Sequence, residues 1–209
     1  MSRFITLEGG EGAGKSTQIR LLAEWLRTGG IDVVTTREPG GSPGAEDIRT
    51  LLVDGETHRW DALTEALLHC AARRDHLAKT VEPALRSGRF VISDRFADST
   101  LAYQGYGLGL DSETIAALNK IATGGRTPDL TIILDLPVEE GLKRANARGG
   151  SARYERMGTG FHERLRNGFL EIAKREPQRC AVVNAWLSVP EVESAIRDVV
   201  RSRLKLKLP

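Results

Sequence analysis

The sequence predicts an α/β fold, a five-stranded parallel sheet with helices on both faces. Three observations carry this expectation. Short apolar runs alternate with longer amphipathic stretches, as in sheets whose crossovers are helices. The run Phe90-Val91-Ile92-Ser93 is continuously apolar, as in a strand buried on both sides. Between the first run and the first amphipathic stretch lies Gly9-Gly10-Glu11-Gly12-Ala13-Gly14-Lys15-Ser16-Thr17, with the G-x-x-x-x-G-K-[ST] spacing of a phosphate-binding loop.

Phe4-Ile5-Thr6-Leu7 forms the first strand, and Ile19, Leu22, Ala23 and Leu26 share one face of the first helix. Gly29-Gly30 stops it, and Asp32 to Thr36 is the second strand. The Pro/Gly density of 37–44 predicts a long loop, with a short helix after it marked by Ile48, Leu51 and Leu52. A long helical stretch runs from Trp60 to about Ser87, with Leu63, Leu67, Cys70, Leu77, Val81 and Leu85 on one face. Pro83 predicts a kink or a new turn in it, and part of its surface could serve a dimer interface. After the strand at 90–93 come helical segments around 98–105 and 111–123 and a fourth strand, Leu130 to Leu136. Pro137 suits the start of the next helix, which Gly149-Gly150 ends. Residues 150–160 lack apolar periodicity and read as a mobile loop, followed by a helix from Phe161 to Arg175 and a fifth strand, Ala181 to Asn184. Ser188-Val189-Pro190-Glu191 has capping-box spacing and opens the last helix.

The chain has 209 residues, one domain's length, and a net charge of +2. That balance does not announce a nucleic-acid binder. Cys70 and Cys180 form no disulfide framework and read as small buried hydrophobes. Met1-Ser2-Arg3 runs straight into the first strand, and no apolar run approaches the ~20 residues that span a bilayer. The expectation is a cytoplasmic protein with no membrane partner.

Ligands of such sheets bind beyond the strand C-termini. That rule gathers the glycine-rich loop, the 37–44 loop, Asp94-Arg95 and the segment after Leu136 around one cleft. The loop's backbone N–H groups, with the helix N-terminus behind them, would cradle phosphates. Lys15 would reach the β- and γ-phosphates of a nucleotide, and the Ser16 hydroxyl would ligate Mg²⁺. Arg95, at the end of a buried strand, would take a second phosphate. Arg144, Arg148, Arg153 and Arg156 surround the mobile loop; Arg148 is placed with the ATP-binding residues, and Arg153 is the candidate lid arginine. One phosphate loop plus further arginines suggests two anionic ligands, hence phosphoryl transfer to an acceptor that is itself a phosphate. Such an acceptor, with a second pKa near ~6, is already ionised at neutral pH and needs no general base; the task is charge neutralisation.

Several segments together resemble the thymidylate kinase family in its bacterial form. They are Leu7 to Thr17, Thr36-Arg37-Glu38-Pro39-Gly40-Gly41, Ala72 to Leu77, Ser93-Asp94-Arg95-Phe96, Ser99 to Gly105 and Pro128 to Thr131. The resemblance implies a nucleoside-monophosphate-kinase-like P-loop domain over 1–209, with a mobile lid at about 149–160. It implies conversion of dTMP and ATP to dTDP and ADP, a need for Mg²⁺, and a homodimer. Carried over by position, Gly9 to Thr17 would bind ATP, Glu11 would face the acceptor's 3′-hydroxyl, and Asp94 would lie near the metal. Arg95 would hold the dTMP phosphate, with Arg37, Glu38 and Arg49 lining that side. Arg73, Thr100 and Gln104 would read thymine, and Tyr103 would close the space of a ribose 2′-hydroxyl. Gly12 together with Arg153 matches the family layout that takes its arginine from the lid rather than from the phosphate loop.

Two positions depart from the family. His69 stands where bacterial relatives commonly stack a phenylalanine on thymine: either the imidazole stacks, so that dTMP binding weakens below pH ~6.5, or it turns away and another ring covers the base. Ala152 stands before Arg153 where an aspartate is usual. Two other readings are weighed against dTMP kinase. A deoxynucleoside kinase would need a carboxylate base, for which Glu38 could serve, and a nucleotide-driven switch would have no use for a base-reading set.

Overall fold

The computed structural model describes residues 2–147 and 153–208. Five strands form one parallel sheet: β1 (Phe4–Glu8), β2 (Val33–Arg37), β3 (Phe90–Asp94), β4 (Leu130–Asp135) and β5 (Cys180–Asn184), in the order β2-β3-β1-β4-β5. The central strand β1 therefore lies between β3 and β4, where the connections run off in opposite directions and a crevice opens at the strand ends.

The helices are α1 (Lys15–Thr28), α2 (Pro43–Val53), α3 (Ala62–His76), α4 (Glu82–Arg86), α5 (Ala97–Thr100), α6 (Ser112–Thr123), α7 (Val138–Asn146), α8 (Thr159–Arg175) and α9 (Val189–Leu204). On one face of the sheet Ile5, Leu7, Ile92 and Ile132 pack with Leu22 and Leu26 of α1 and Ile196 and Val200 of α9. On the other, Phe4 and Val91 meet Leu77, Val81 and Phe96, while Ile133 meets Tyr103, Leu165 and Phe169. The period-2 alternation of β1 thus turns Phe4, Thr6 and Glu8 toward the second face.

The strand expectations agree within a residue, and the capping box at Ser188 and Glu191 is formed. Three details differ. The loop after β2 is shorter than expected, because Pro43 needs no N–H at a helix start and opens α2. The stretch expected over 60–87 starts at Ala62, capped by Asp61, and widens into a π-helical turn over Leu77–Val81 just before Pro83. That widening accommodates a residue with no N–H to donate. Finally, the apolar face is unevenly covered: Leu63 and Leu67 are 44% and 49% exposed, while Cys70, Leu77 and Val81 are buried.

Candidate active site

The phosphate loop links β1 to α1. Its curl brings Gly12 against α7, where a Cβ would stand 2.0 Å from the carbonyl oxygen of Gly141. An arginine at this position is excluded by that packing, consistent with the glycine layout. Lys15 is buried and donates to the carbonyls of Gly9 (3.1 Å) and Gly10 (2.9 Å). Arg95 comes from the end of β3 and donates to the same Gly9 carbonyl at 3.0 Å. Two cations therefore converge on one oxygen at the mouth of the crevice. Burial and the charge of Arg95 both push the Lys15 ammonium below its ordinary value.

Arg95 is held on its other side. It donates to Ser99 Oγ (3.1 Å), Tyr103 Oη (2.7 Å) and Glu11 Oε1 (3.2 Å), and its guanidinium lies 4.8 Å from the centre of the Tyr103 ring. Tyr103 in turn donates to Glu11. Burial raises the Glu11 carboxyl, but Arg95, Lys15 and the Tyr103 hydroxyl outweigh it and hold it below its usual range.

Two cavities meet here. One, of about 230 Å³, is polar and lined by the loop from Gly12 to Ser16 with Arg37, Glu38, Arg49, Asp94 and Arg95. The other, of about 120 Å³, is walled by Val53, His69, Arg73, Phe96, Tyr103, Gln104 and Tyr154, and it also includes Glu11, Glu38, Arg49 and Arg95. Glu38, Arg49 and Arg95 line both, so the polar and apolar spaces share a junction. Thr17 is exposed on α1.

The base end is built from paired groups. Arg73 donates Nε to Glu38 Oε2 (2.8 Å), Nη1 to Asn119 (2.9 Å), and Nη2 to the Phe96 carbonyl (3.1 Å) and Thr100 Oγ1 (3.0 Å). Thr100 meets Arg73 and lines neither cavity. The other carboxylate oxygen of Glu38 is taken by His76 Nδ1 at 2.9 Å. A carboxylate engaged on both oxygens is poorly placed to act as a base. Gln104 Nε2 lies against Glu65 and Tyr154, while its buried Oε1 has no partner.

Three expectations are corrected. Arg153 does not line the cavity of Lys15. It sits in a 3₁₀ turn over Arg153–Arg156, is 1% exposed, and pairs with buried Glu65 at 2.5 Å while donating to the Leu52 carbonyl at 3.0 Å. A guanidinium removed from water requires such a partner, and sequence reading had not singled out Glu65. The neighbouring Tyr154, also unforeseen, enters the apolar cavity and meets Glu65 Oε2 at 2.9 Å and His69 Nε2 at 3.2 Å. Second, His69 does not titrate near pH 6.5. Burial, reinforced by Arg73, Arg153, Arg95 and Arg49, pushes it down to about 3. Third, the stretch expected as loop is in part the 3₁₀ turn just described. Arg156 bonds the Gly55 carbonyl, and Arg144 pairs with Glu140; Arg148, Gly149, Gly150 and Ala152 lie outside the described residues.

Ser16 Oγ donates to Asp94 Oδ2 at 3.1 Å, and the buried Asp94 Oδ1 has no partner. A hydroxyl and one carboxylate beside a phosphate loop form the sparse oxygen set that Mg²⁺ completes with phosphate and water. The residues fit that ion. Among the described residues no cluster of three metal-ligating side chains occurs, and no helix is long and apolar enough to cross a membrane.

Fold and site together define a P-loop nucleotide kinase with a polar cavity at the phosphate loop that opens into a second, more apolar one. A model of the family described as Thymidylate kinase matches residues 7–196. The chain is 59% identical over 203 residues to a thymidylate kinase of Caulobacter vibrioides, covering 97% of this chain and 98% of that one. It is 50% identical over 210 residues to one of Afipia carboxidovorans, covering 99% and 92%. A crystal structure of thymidylate kinase from Ehrlichia chaffeensis superposes with a TM-score of 0.76 at 39% identity, covering 95% and 98%. The chain belongs to the thymidylate kinase family.

Proposed function

We propose how this cleft carries out the family's reaction, transfer of the γ-phosphoryl group of ATP to dTMP with formation of dTDP and ADP. The observation that carries the reading is that Arg95, which lines both cavities, shares the Gly9 carbonyl with Lys15 of the polar one. The loop Gly9 to Thr17 takes the ATP phosphates. The acceptor phosphate takes Arg95, with Arg37 and Arg49 beside it. Thymine enters the apolar cavity, where the unpartnered Gln104 Oε1 suits the ring N–H and Arg73 lines the wall. Glu11 and Tyr103 flank the sugar. Proton removal has no part in the step, since the attacking oxygen is already anionic. The residues lower the repulsion between two polyanions and hold them in line. Ser16 and Asp94 would hold Mg²⁺, which when bound neutralises phosphate oxygens.

Arg153 is left out of the catalytic set; it anchors the 153–156 turn so that Tyr154 covers the thymine pocket. We further assign a homodimer, supported by the exposed leucines Leu51 of α2 and Leu63 and Leu67 of α3, and a cytoplasmic location. Light scattering at micromolar concentration tests the first: a mass of one chain would reject it. The function is tested by coupled ADP release with ATP and a panel of nucleoside monophosphates. Turnover is expected with dTMP and not with thymidine; ATP hydrolysis indifferent to dTMP would overturn the reading.

A further inference from the structure

Glu8 ends β1 on the face that carries Phe4 and Thr6, and it is completely buried. It lines neither cavity of the junction. Its Oε1 accepts the backbone N–H of Phe96 at 2.7 Å, and its Oε2 lies 2.6 Å from Ser99 Oγ. Phe96 directly follows Arg95, and Ser99 lies just beyond it in α5. The backbone of Arg95 has φ 73°, a left-handed conformation that side chains larger than glycine seldom adopt and that must be imposed by surrounding contacts. Three backbone contacts hold it directly, beside the side-chain bonds already described. The Arg95 N–H donates to Leu7 O at 3.0 Å, Ser93 Oγ donates to the Arg95 carbonyl at 2.8 Å, and the next N–H goes to Glu8. Ser99 Oγ also accepts from the Arg95 guanidinium at 3.1 Å. Glu8 thus grips Arg95 twice, through the following peptide and through the hydroxyl beside its side chain.

We propose that Glu8 is a positioning residue for phosphoryl transfer, which fixes the turn of Arg95 so that its guanidinium faces Lys15 and receives the acceptor phosphate. Removing the grip frees the backbone of Arg95 to relax, and acceptor affinity falls while the ATP side keeps its loop. Burial and the nearby Asp98 carboxylate push the Glu8 carboxyl up to about 8, against the charge of Arg95 and the bonds from Ser99 and Phe96. Lys15 on α1 and Cys180 on β5 also sense it. A carboxyl raised in this way favours its protonated form at neutral pH. Above pH 8 it becomes an anion that competes with the acceptor phosphate for the charge of Arg95.

Glu8→Gln mimics the protonated acid, since its carbonyl can accept from Phe96 and its amide can donate to Ser99. Glu8→Leu removes both bonds. Steady-state kinetics should give Glu8→Gln a KM for dTMP within about twofold of wild type at pH 7, and Glu8→Leu a KM raised about tenfold or more, with the KM for ATP within about twofold. Wild-type kcat/KM for dTMP should decline above pH 8, and Glu8→Gln should lack that limb. A Glu8→Leu variant that loses thermal stability but saturates normally with dTMP would overturn the proposal, as would the same alkaline limb in Glu8→Gln. Should Glu8→Leu not fold, the Glu8→Gln pH profile decides alone. The proposal rests on the acceptor role of Arg95. Normal dTMP saturation in Arg95→Ala would reject that role, whereas a damaged Arg95→Ala beside an undisturbed Glu8→Leu would reject only the role of Glu8.

Discussion

At the phosphate-loop end of the cleft Lys15 donates to two backbone carbonyls, whereas at the base end Arg73 and Arg153 are bound to the buried carboxylates of Glu38 and Glu65. The carbonyl bonds can be exchanged for bonds to an entering anion without stranding a countercharge. The carboxylate pairs cannot: separating either leaves a buried charge without its partner, so these arginines build the pocket instead of gripping phosphate. Arg95 stands between the two regimes, bonded to the Gly9 carbonyl on one side and to Glu11 on the other.

The contrast can be broken most severely at Arg153. Arg153→Ala leaves Glu65 buried and unpaired, which should cost about 3–5 kcal/mol of stability. Thermal denaturation would show it, and a variant of unchanged stability with depressed kcat would return Arg153 to the transferring phosphate. Lys15→Ala should behave in the opposite way. Turnover should fall by about 10²–10³, the loss typical of one donor aimed at developing charge, with little change in melting temperature. Arg95→Ala falls between: removal of its charged hydrogen bonds, worth about 1.5–3 kcal/mol, should raise the KM for dTMP roughly tenfold to a hundredfold. Discrimination against dUMP rests on one methyl group, so about 1–3 kcal/mol, and dUMP should be a poor substrate with measurable turnover.

At His69, last, no effect on dTMP binding is expected near neutral pH. Its folded-state pKa of about 3 keeps the imidazole neutral from pH 5.5 to 8, so dTMP affinity should stay flat there once acceptor ionisation is allowed for. Stability should respond instead. Below pH 6.5 the unfolded chain gains a proton that the folded chain refuses, so stability falls with pH down to about 3, at no more than about 1.4 kcal/mol per pH unit. Denaturant titrations of wild type and His69→Phe at pH 5 and 7 check this, the variant lacking the slope. Binding that titrates at pH 6.5 would place His69 in contact with water.

Much of the cleft was legible because its signals are local. The loop spacing, the apolar run before Asp94-Arg95 and the REPGG segment each specify a strand end or turn from a few consecutive residues. The exposure of Leu63 and Leu67 was not legible, because helical spacing finds an apolar face without saying what covers it. Ser16 and Asp94 were legible in type, while their 3.1 Å bond depends on β1 and β3 lying side by side.

By itself the sequence determined the alternation of strands and helices, the phosphate loop and the presence of a second cation at a strand end. Backbone propensity, apolar period and glycine spacing act over a few residues and survive without knowledge of the rest of the chain. Only the tertiary structure decided which carboxylate each arginine meets. It paired Arg153 with Glu65, held Arg73 on Glu38 and folded Phe96 over Glu8, partners 88, 35 and 88 positions apart. Charges remote in sequence acquire partners, and shifted pKa values, only when packing removes the water between them.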